Sequence, residues 1–270
     1  MRRFSRRINF YLLNPRKLIG RVLGPKVLVM SVQKSGTNLL VHTLDLVPFL
    51  RYQGTLAMDS RKEAIRRIEN LTPGGVLSSH HARDSELDNL IDHCGIKVLF
   101  IIRDPRDVSV SLYYWIEKTQ YHHFHNTFID LPNKDERLMK IITGFEPENT
   151  DGSKQGIVSI DYHFRRRLSW MENPRYLTVR FENLIGQSGG GDMNNQLSTL
   201  KSIQQFLEIK LLDRDYKYIQ DNIFSRRTAT FRRGLIGSWK EEFSDAHKAA
   251  FKEFAGDLLI DLGYESSLNW

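Results

Sequence analysis

Residues 26–38 read KVLVMSVQKSGTN, and this stretch decides the fold. Its first seven residues are mostly apolar and include three β-branched valines, which is typical of a buried strand. The polar, glycine-containing loop Lys34–Thr37 follows at once, and a helical pattern then runs from Asn38 to Leu46. The stretch therefore predicts a strand, a tight loop and a helix in direct succession.

The same succession recurs further along the chain. An apolar run at residues 97–102 precedes a predicted helix at residues 106–115. A third strand is predicted at residues 176–181, after a helix that ends before Pro174. Continuous apolar strands that alternate with helices predict an α/β fold with a central parallel sheet that is flanked by helices on both faces.

No internal repeat or linker divides the chain, so we expect one domain over residues 25–270 and a basic lead-in segment at residues 1–24. Two stretches, residues 146–156 and 186–195, are predicted as surface loops because they are polar and rich in glycine. Residues 245–262 are predicted as a final helix.

The composition is that of a folded globular protein. Of the 270 residues, 40% are hydrophobic and 26% are charged, which excludes a disordered chain. The formal net charge is +7 and the pI is near 9.4. This balance favours anionic partners, which include nucleic acid, an anionic membrane surface and a small polyanionic ligand.

The lead-in segment mixes basic and apolar residues. No stretch in it reaches the roughly 18 apolar residues that a membrane span requires, and it lacks the pattern of a signal peptide. We predict an exposed basic helix, with weak contact to a membrane surface as the alternative. Because Cys94 is the only cysteine, an intrachain disulfide is excluded, and a cytoplasmic location is expected.

The loop after the first strand has the composition of a phosphate-binding loop. Backbone N–H groups at the start of a helix attract phosphate or sulfate, and Gly36 allows an anion to approach the backbone closely. The other groups expected to bind the anion are Lys34, Ser35, Thr37 and Asn38. The loop that binds nucleoside triphosphates is the main competitor, but its motif has Gly directly before Lys, where this chain has Gln33.

Three segments in order resemble the family of sulfotransferases that use 3′-phosphoadenosine 5′-phosphosulfate (PAPS). The first is the KSGT sequence at residues 34–37. The second, IIRDPRDVSVS at residues 101–111, resembles a family strand that ends in Arg, with Ser eight positions after that Arg. The third, RRGLIGSWK at residues 232–240, resembles a basic pair followed by Gly and then by Gly-x-Trp-Lys.

The resemblance implies an enzyme that moves a sulfuryl group from PAPS to a hydroxyl or an amine of a small-molecule acceptor. The reaction is an in-line displacement, and its product is adenosine 3′,5′-bisphosphate (PAP). In the family a P-loop-like strand-loop-helix binds the phosphosulfate. The resemblance therefore implies that Lys34 stabilises charge on the departing oxygen.

The second and third segments hold the 3′-phosphate of the donor in the family. This role carries over to Arg103 and Ser111, and Ser111 is also expected to restrain Lys34 before the acceptor arrives. The residues of the third segment expected to close over the same phosphate are Arg232, Arg233 and Gly234.

The general base is predicted just before the second segment. The family takes its base from a Thr-His or Ser-His pair at the end of a strand, and this chain offers SSHH at residues 78–81. His80 is the predicted base, because it stands where the resemblance places the family histidine and because the ordinary pKa of histidine lies near neutrality. His81 is the alternative if the register is shifted by one residue, and His163 comes next.

The adenine and acceptor sites follow from the resemblance alone. Leu39 stands where many members carry a Trp that stacks on adenine. Phe181 and Phe224 are the candidates to contact the base, with burial in the core as the alternative. The predicted acceptor contacts are His81, Tyr121, His122, Phe124 and His163. No metal is expected, because the histidines at positions 122, 123 and 125 lack accompanying Cys or carboxylate ligands.

Two other classes of function stay open at this point. A P-loop-type kinase would require Mg²⁺ and a nucleoside triphosphate. A non-catalytic basic protein would bind a nucleotide or a membrane surface. Nucleic acid is not an expected partner, since no recognisable nucleic-acid module is present.

Overall fold

The computed structural model describes residues 15–58, 60–122, 124–145, 156–224 and 234–270. Within these residues the chain divides into two compact units. The first, which we call the sheet unit, comprises residues 15–31, 36–102 and 169–224. The second, which we call the helical unit, comprises residues 32–35, 103–168 and 234–270, apart from the residues that are not described.

A parallel sheet is the centre of the sheet unit. In the described part of the chain its five strands are β1 (Lys26–Ser31), β2 (Arg51–Thr55), β3 (Gly75–Ser79), β4 (Ile96–Ile102) and β5 (Leu177–Arg180). Their order across the sheet is β2-β3-β1-β4-β5, and all neighbours pair in parallel. The strands β1, β3 and β4 are almost wholly buried, as expected for apolar strands that are covered on both faces.

Seven α-helices of the described chain lie wholly in the sheet unit. They are α1 (Pro15–Leu23), α2 (Thr37–Leu46), α3 (Arg61–Glu69), α4 (Ser85–His93), α9 (Phe181–Leu184), α10 (Met193–Phe206) and α11 (Asp213–Asn222). Of these, α2 contacts β1, β2 and β3, α4 contacts β4, and α10 contacts β5. No helix in the described ranges is long and apolar enough to cross a membrane.

The helical unit contains the remaining helices: α5 (Pro105–Lys118), α6 (His125–Ile129), α7 (Lys134–Thr143), α12 (Trp239–Glu242), α13 (Asp245–Asp261) and most of α8 (Ile160–Glu172). Its centre is α5, which packs on α6, α7 and α12, and α7 packs on α13. Pro105 occupies the first turn of α5, and the Asp104 side chain accepts a hydrogen bond from the backbone N–H of Arg106. A proline in the first turn and a side-chain cap both favour the start of a helix.

The predicted α/β class with a central parallel sheet is confirmed. The prediction of a loop at residues 186–195 is wrong for its last three residues, because α10 begins at Met193. Asp192 caps that helix by accepting hydrogen bonds from the N–H groups of Asn194 and Asn195. The other predicted loop falls almost entirely on residues 146–155, which lie outside the described residues.

Candidate active site

Gly36 ends the loop after β1 in a backbone conformation that favours glycine. Its φ is 110°, and it directly precedes α2. A Cβ atom at this position would lie 2.7 Å from Cδ2 of Phe181 and 3.1 Å from Cδ1 of Ile101. The Phe181 ring, predicted to contact adenine, is therefore packed against the backbone of the phosphate-binding loop.

Ser31 connects the phosphate-binding loop to the predicted base. Met30 of β1 pairs with Ser79 of β3, so the residues that follow them, Ser31 and His80, are neighbours across the sheet. The Ser31 Oγ lies 2.7 Å from Thr37 Oγ1 and 3.0 Å from Nδ1 of His80. The same Nδ1 lies 3.1 Å from the Ser31 carbonyl oxygen.

The contact with the Ser31 carbonyl oxygen favours one tautomer of His80. A carbonyl oxygen only accepts hydrogen bonds, so Nδ1 bonds to it when Nδ1 carries the hydrogen, whereas the Ser31 hydroxyl can donate or accept. The neutral imidazole then has its lone pair on Nε2. A general base requires a lone pair that can take a proton from the substrate.

His81 has different surroundings. Its Nδ1 lies 2.7 Å from Ser79 Oγ, and its carbonyl oxygen accepts a hydrogen bond of 3.0 Å from Nε1 of Trp170. Its side chain lies near core residues that include Met30 and Ile68. His81 is therefore held by Ser79 and Trp170, whereas His80 is held by Ser31.

Lys34 belongs to the helical unit, and both its backbone conformation and its pKa are unusual. Its φ of 69° is uncommon for a residue other than glycine. The Nζ atom lies 5.1 Å from the centroid of the Trp115 ring. Burial, and secondarily the positive charge of Arg103, lower the pKa of Lys34 from 10.5 to about 8.

Arg103 is a buried cation, with 7% of its surface exposed. It donates a hydrogen bond of 2.8 Å to the carbonyl oxygen of Leu235, and its Nη2 lies 3.4 Å from Oδ2 of Asp107. Gly234, just before Leu235, has a φ of 63°. Arg232 and Arg233, predicted to close over the same phosphate, lie outside the described residues.

Asp107 anchors the third segment to the start of α5. Its carboxylate accepts hydrogen bonds from the N–H of Gly237 at 2.9 Å, Oγ of Ser238 at 2.9 Å and the N–H of Trp239 at 3.0 Å. The guanidinium of Arg106 also lies 4.2 Å from the centroid of the Trp239 ring. The second and third segments are therefore joined within the helical unit.

Ser111 is half-buried on α5 and lies one turn from Asp107 and one turn from Trp115. Residues four positions apart share a helix face. The predicted partner of Lys34 therefore shares a face of α5 with Trp115, the aromatic residue that Lys34 contacts.

The predicted acceptor residues occupy different environments. The His122 ring contacts Trp115 edge-on, with centroids 4.4 Å apart, and lies 5.4 Å from the Phe124 ring. Tyr121 is 94% exposed, whereas His163 is 9% exposed on α8. Phe224 is half-buried at the edge of the described residues, and Asn38 is exposed. Within the described ranges, no group of three or more His, Cys, Asp or Glu residues could hold a metal ion.

Three residues of this region were not predicted from the sequence. Ser31 contacts the predicted base, Trp115 contacts Lys34, and Asp107 anchors the third segment. Asp107 and Trp115 lie in or near the second segment, at helical spacing from Ser111. That spacing was a signal that could have identified them.

Residues 24–263 match the model of the sulfotransferase domain family. The chain belongs to the sulfotransferase family. Its similarity to Sulfotransferase 6B1 of Mus musculus is 25% identity over 272 aligned residues, which cover 89% of this chain and 80% of that protein. The predicted family, enzyme class and donor are thereby confirmed, since sulfotransferases of this family use PAPS and release PAP.

Solved structures share the sulfotransferase fold. The structure of mouse sulfotransferase SULT7A1 complexed with PAP has a TM-score of 0.65 at 17% identity, and the match covers 89% of this chain and 87% of that chain. Retinol dehydratase in complex with androsterone and inactive cofactor PAP has a TM-score of 0.56 at 16% identity, covering 93% and 85%. The kinase and non-catalytic alternatives are not favoured.

Proposed function

We propose that this sulfotransferase acts on a hydroxyl or an amine of a small-molecule acceptor, with His80 as the general base. The observation that carries this proposal is the contact of His80 Nδ1 with Ser31, next to Thr37 of the phosphate-binding loop. With Nδ1 as a donor, Nε2 takes the proton of the acceptor while the acceptor oxygen or nitrogen bonds to sulfur. The bond between sulfur and the phosphate oxygen of PAPS breaks in the same displacement, and PAP leaves.

Lys34 and Arg103 supply positive charge for the donor in this proposal. Burial and, secondarily, the charge of Arg103 lower the pKa of Lys34, and an anion beside Lys34 would stabilise its charged form. We assign the departing oxygen to Lys34 and the 3′-phosphate to Arg103, Ser111 and the third segment. Below a pH of about 8 most Lys34 side chains carry the charge that this role requires.

The backbone of the phosphate-binding loop supports donor binding. Gly36 has no Cβ, and the tight contact with Phe181 leaves no room for one. The N–H groups at the start of α2 point toward the loop, and helix N-termini attract phosphate and sulfate. We assign adenine contacts to Phe181 and Phe224.

The acceptor in this proposal is a ring-containing small molecule. Trp115, His122 and Phe124 form a contiguous aromatic cluster, which suits a flat apolar ligand. We assign acceptor contacts to this cluster and to His81, Tyr121 and His163. Androsterone, held by retinol dehydratase, is a ligand of this shape.

We propose a cytoplasmic location. A single cysteine, Cys94, forms no intrachain disulfide and is compatible with that location.

Calorimetry with three ligands tests donor recognition. We expect PAP to bind, and ATP and duplex DNA to bind far more weakly. A screen of ring-containing alcohols, phenols and amines with labelled PAPS, followed by mass detection of the sulfated product, tests the reaction and the acceptor class. Tight binding of ATP with phosphate transfer, or binding of PAP without any sulfated product, would contradict the proposal.

A further inference from the structure

The net positive charge of this chain lies in its first 24 residues. That segment contains seven of the 39 Lys and Arg residues and none of the 32 Asp and Glu residues. The remaining 32 basic and 32 acidic residues balance formally over residues 25–270. The basic pI therefore reflects one terminal segment, and the sulfotransferase domain that follows it is formally neutral.

The inner face of α1 is fixed to the sheet unit. Nη1 of Arg16 donates hydrogen bonds of 2.8 and 2.7 Å to the Asp215 carboxylate, and Nη2 donates one of 2.9 Å to the Lys210 carbonyl oxygen. Gly20 packs so closely on Phe49 that a Cβ atom would lie 2.1 Å from the Phe49 carbonyl oxygen. These contacts set the orientation of the helix and therefore of its opposite face.

The opposite face of α1 is apolar and exposed. Leu18, Ile19, Val22 and Leu23 expose 64%, 48%, 71% and 79% of their surfaces. They form two pairs at a spacing of four residues, so they share one helix face. Together they are an apolar surface that no other described residue covers substantially. We call these four residues the α1 apolar face.

Basic residues accompany this face in the sequence. Arg21 is exposed on the same helix. The sequence of residues 1–14 adds Arg2, Arg3, Arg6 and Arg7, together with the apolar residues Phe4, Phe10, Leu12 and Leu13. An exposed apolar face bordered by cations matches the interface of an anionic lipid bilayer, where acyl chains lie beneath negative headgroups.

We propose that residues 1–24 bind the surface of an anionic membrane, with the α1 apolar face inserted among the lipids and Arg21 on the headgroups. The four arginines in the sequence of residues 1–14 add to the attraction. A helix of nine residues rises only about 14 Å, far less than the roughly 30 Å of a bilayer core, so α1 lies on the membrane and does not cross it. This proposal takes up the alternative of membrane contact for the lead-in segment. The proposal does not depend on the proposed acceptor or base.

Membrane attachment would serve an acceptor that partitions into lipid. A sulfotransferase held at the bilayer surface receives an apolar acceptor without that acceptor crossing bulk water. The sulfated product carries a permanent negative charge, so it leaves the lipid for water or for the headgroup layer.

Vesicle co-sedimentation of the full chain tests the proposal. The vesicles are phosphatidylcholine alone and phosphatidylcholine mixed with phosphatidylglycerol. We expect the chain to bind the anionic vesicles and not the neutral ones, and the bound fraction to fall as NaCl is raised. The double variant L18Q/V22Q should weaken binding by about tenfold or more, because partitioning depends on the apolar area that leaves water.

Matched controls separate this surface from others. M193Q/I129Q changes two exposed apolar residues elsewhere, which are 53% and 43% exposed, and should bind like the unaltered chain. R21Q should weaken binding, whereas K217Q, which alters an exposed lysine on α11, should not. Circular dichroism and thermal melting of L18Q/V22Q should match those of the unaltered chain, since both replaced side chains are exposed.

Four results would overturn the proposal. The first is that the chain does not bind anionic vesicles, and the second is that L18Q/V22Q binds them as well as the unaltered chain. The third is a dimer in sedimentation velocity that the L18Q/V22Q substitutions disrupt. The fourth is that residues 1–24 bind DNA but not vesicles. The third result would show that the α1 apolar face pairs with a second copy of the chain. The fourth would assign the arginines to nucleic acid.

Discussion

The Nδ1 atom of His80 lies 3.0 Å from Oγ of Ser31 and 3.1 Å from its carbonyl oxygen, although 49 residues separate the two in sequence. Ser31 is 1% exposed and also contacts Thr37 through the same hydroxyl. The predicted base and the phosphate-binding loop are therefore positioned by one buried serine at the end of β1.

Replacing Ser31 tests this positioning role. Ser31→Ala should lower kcat by about 3- to 10-fold, which is the factor that corresponds to the free energy of one hydrogen bond. The KM for the acceptor should stay nearly unchanged. Ser31→Thr keeps the hydroxyl and should restore most of the rate. The matched control is Ser79→Ala, which removes the equivalent hydroxyl contact of His81 and should leave kcat unchanged. Equal losses in the two alanine variants would reject a specific role for Ser31.

Lys34 should decrease the stability of the fold while it promotes the reaction. Its pKa is about 8 in the folded chain, compared with 10.5 for an ordinary lysine. Between these values the unfolded chain binds more protons, so the stability due to this site rises with pH and is lowest below pH 8. At neutral pH the buried charge costs up to about 3 kcal/mol.

Lys34→Met should therefore raise the Tm at pH 7 and abolish turnover, because it removes a desolvated charge that the reaction requires. Thermal melts across the pH range measure this effect. The Tm advantage of the variant should shrink as the pH rises from about 8 to 10.5. A variant that melts earlier than the unaltered chain at neutral pH would show that Lys34 stabilises the fold.

Arg103 is expected to distinguish nucleotides with and without a 3′-phosphate. Arg103→Ala should weaken PAP binding by about 10- to 100-fold, the range for hydrogen bonds to a charged group, and leave 5′-AMP binding nearly unchanged. Calorimetry with both nucleotides measures the difference. Because Arg103 also bonds to Leu235, circular dichroism must first show a folded variant. Equal losses for both nucleotides would argue against a 3′-phosphate contact.

Gly36→Ala should unfold or distort the phosphate-binding loop. The new methyl group would lie 2.7 Å from the Phe181 ring, and a φ of 110° is strained for alanine. We expect a loss of about 1–3 kcal/mol in stability and a severe loss of PAP affinity. Gly95→Ala is the control, because its φ is 62° but nothing lies within 4 Å of the added Cβ. That variant should lose only about 1 kcal/mol and bind PAP normally.

The strands that could be predicted from the sequence are those that consist of a short apolar run. Residues of β1, β4 and β5 form apolar, β-branched runs, which buried parallel strands require. β2 reads RYQGT and alternates between exposed and half-buried positions at the sheet edge, so it has no apolar run to predict it. The start of α10 was missed because its N-cap, Asp192, follows three glycines that indicate a loop.

The candidate site also contains some residues that a local sequence pattern could identify and others that it could not. The loop at residues 34–38 could be recognised because its motif lies in consecutive residues. The role of Ser31 depends on the register between β1 and β3, and that of Asp107 depends on the path of a segment 130 residues away. Such contacts are set by tertiary structure and leave no short-range pattern. The exposure of the α1 apolar face likewise depends on which side of the helix packs against Phe49.

The most direct test of the account compares His80→Ala with His81→Ala in single-turnover assays with PAPS and a productive acceptor. We predict that His80→Ala lowers the rate of the chemical step by about 10²- to 10⁴-fold and keeps PAP affinity, because a neutral imidazole removes a proton but contributes little to binding a polyanion. His81→Ala should retain most of the rate, since His81 is assigned an acceptor contact and not the proton transfer, and its backbone bond to Trp170 remains in alanine. Loss of the reaction in His81→Ala with a nearly normal rate in His80→Ala would contradict the account.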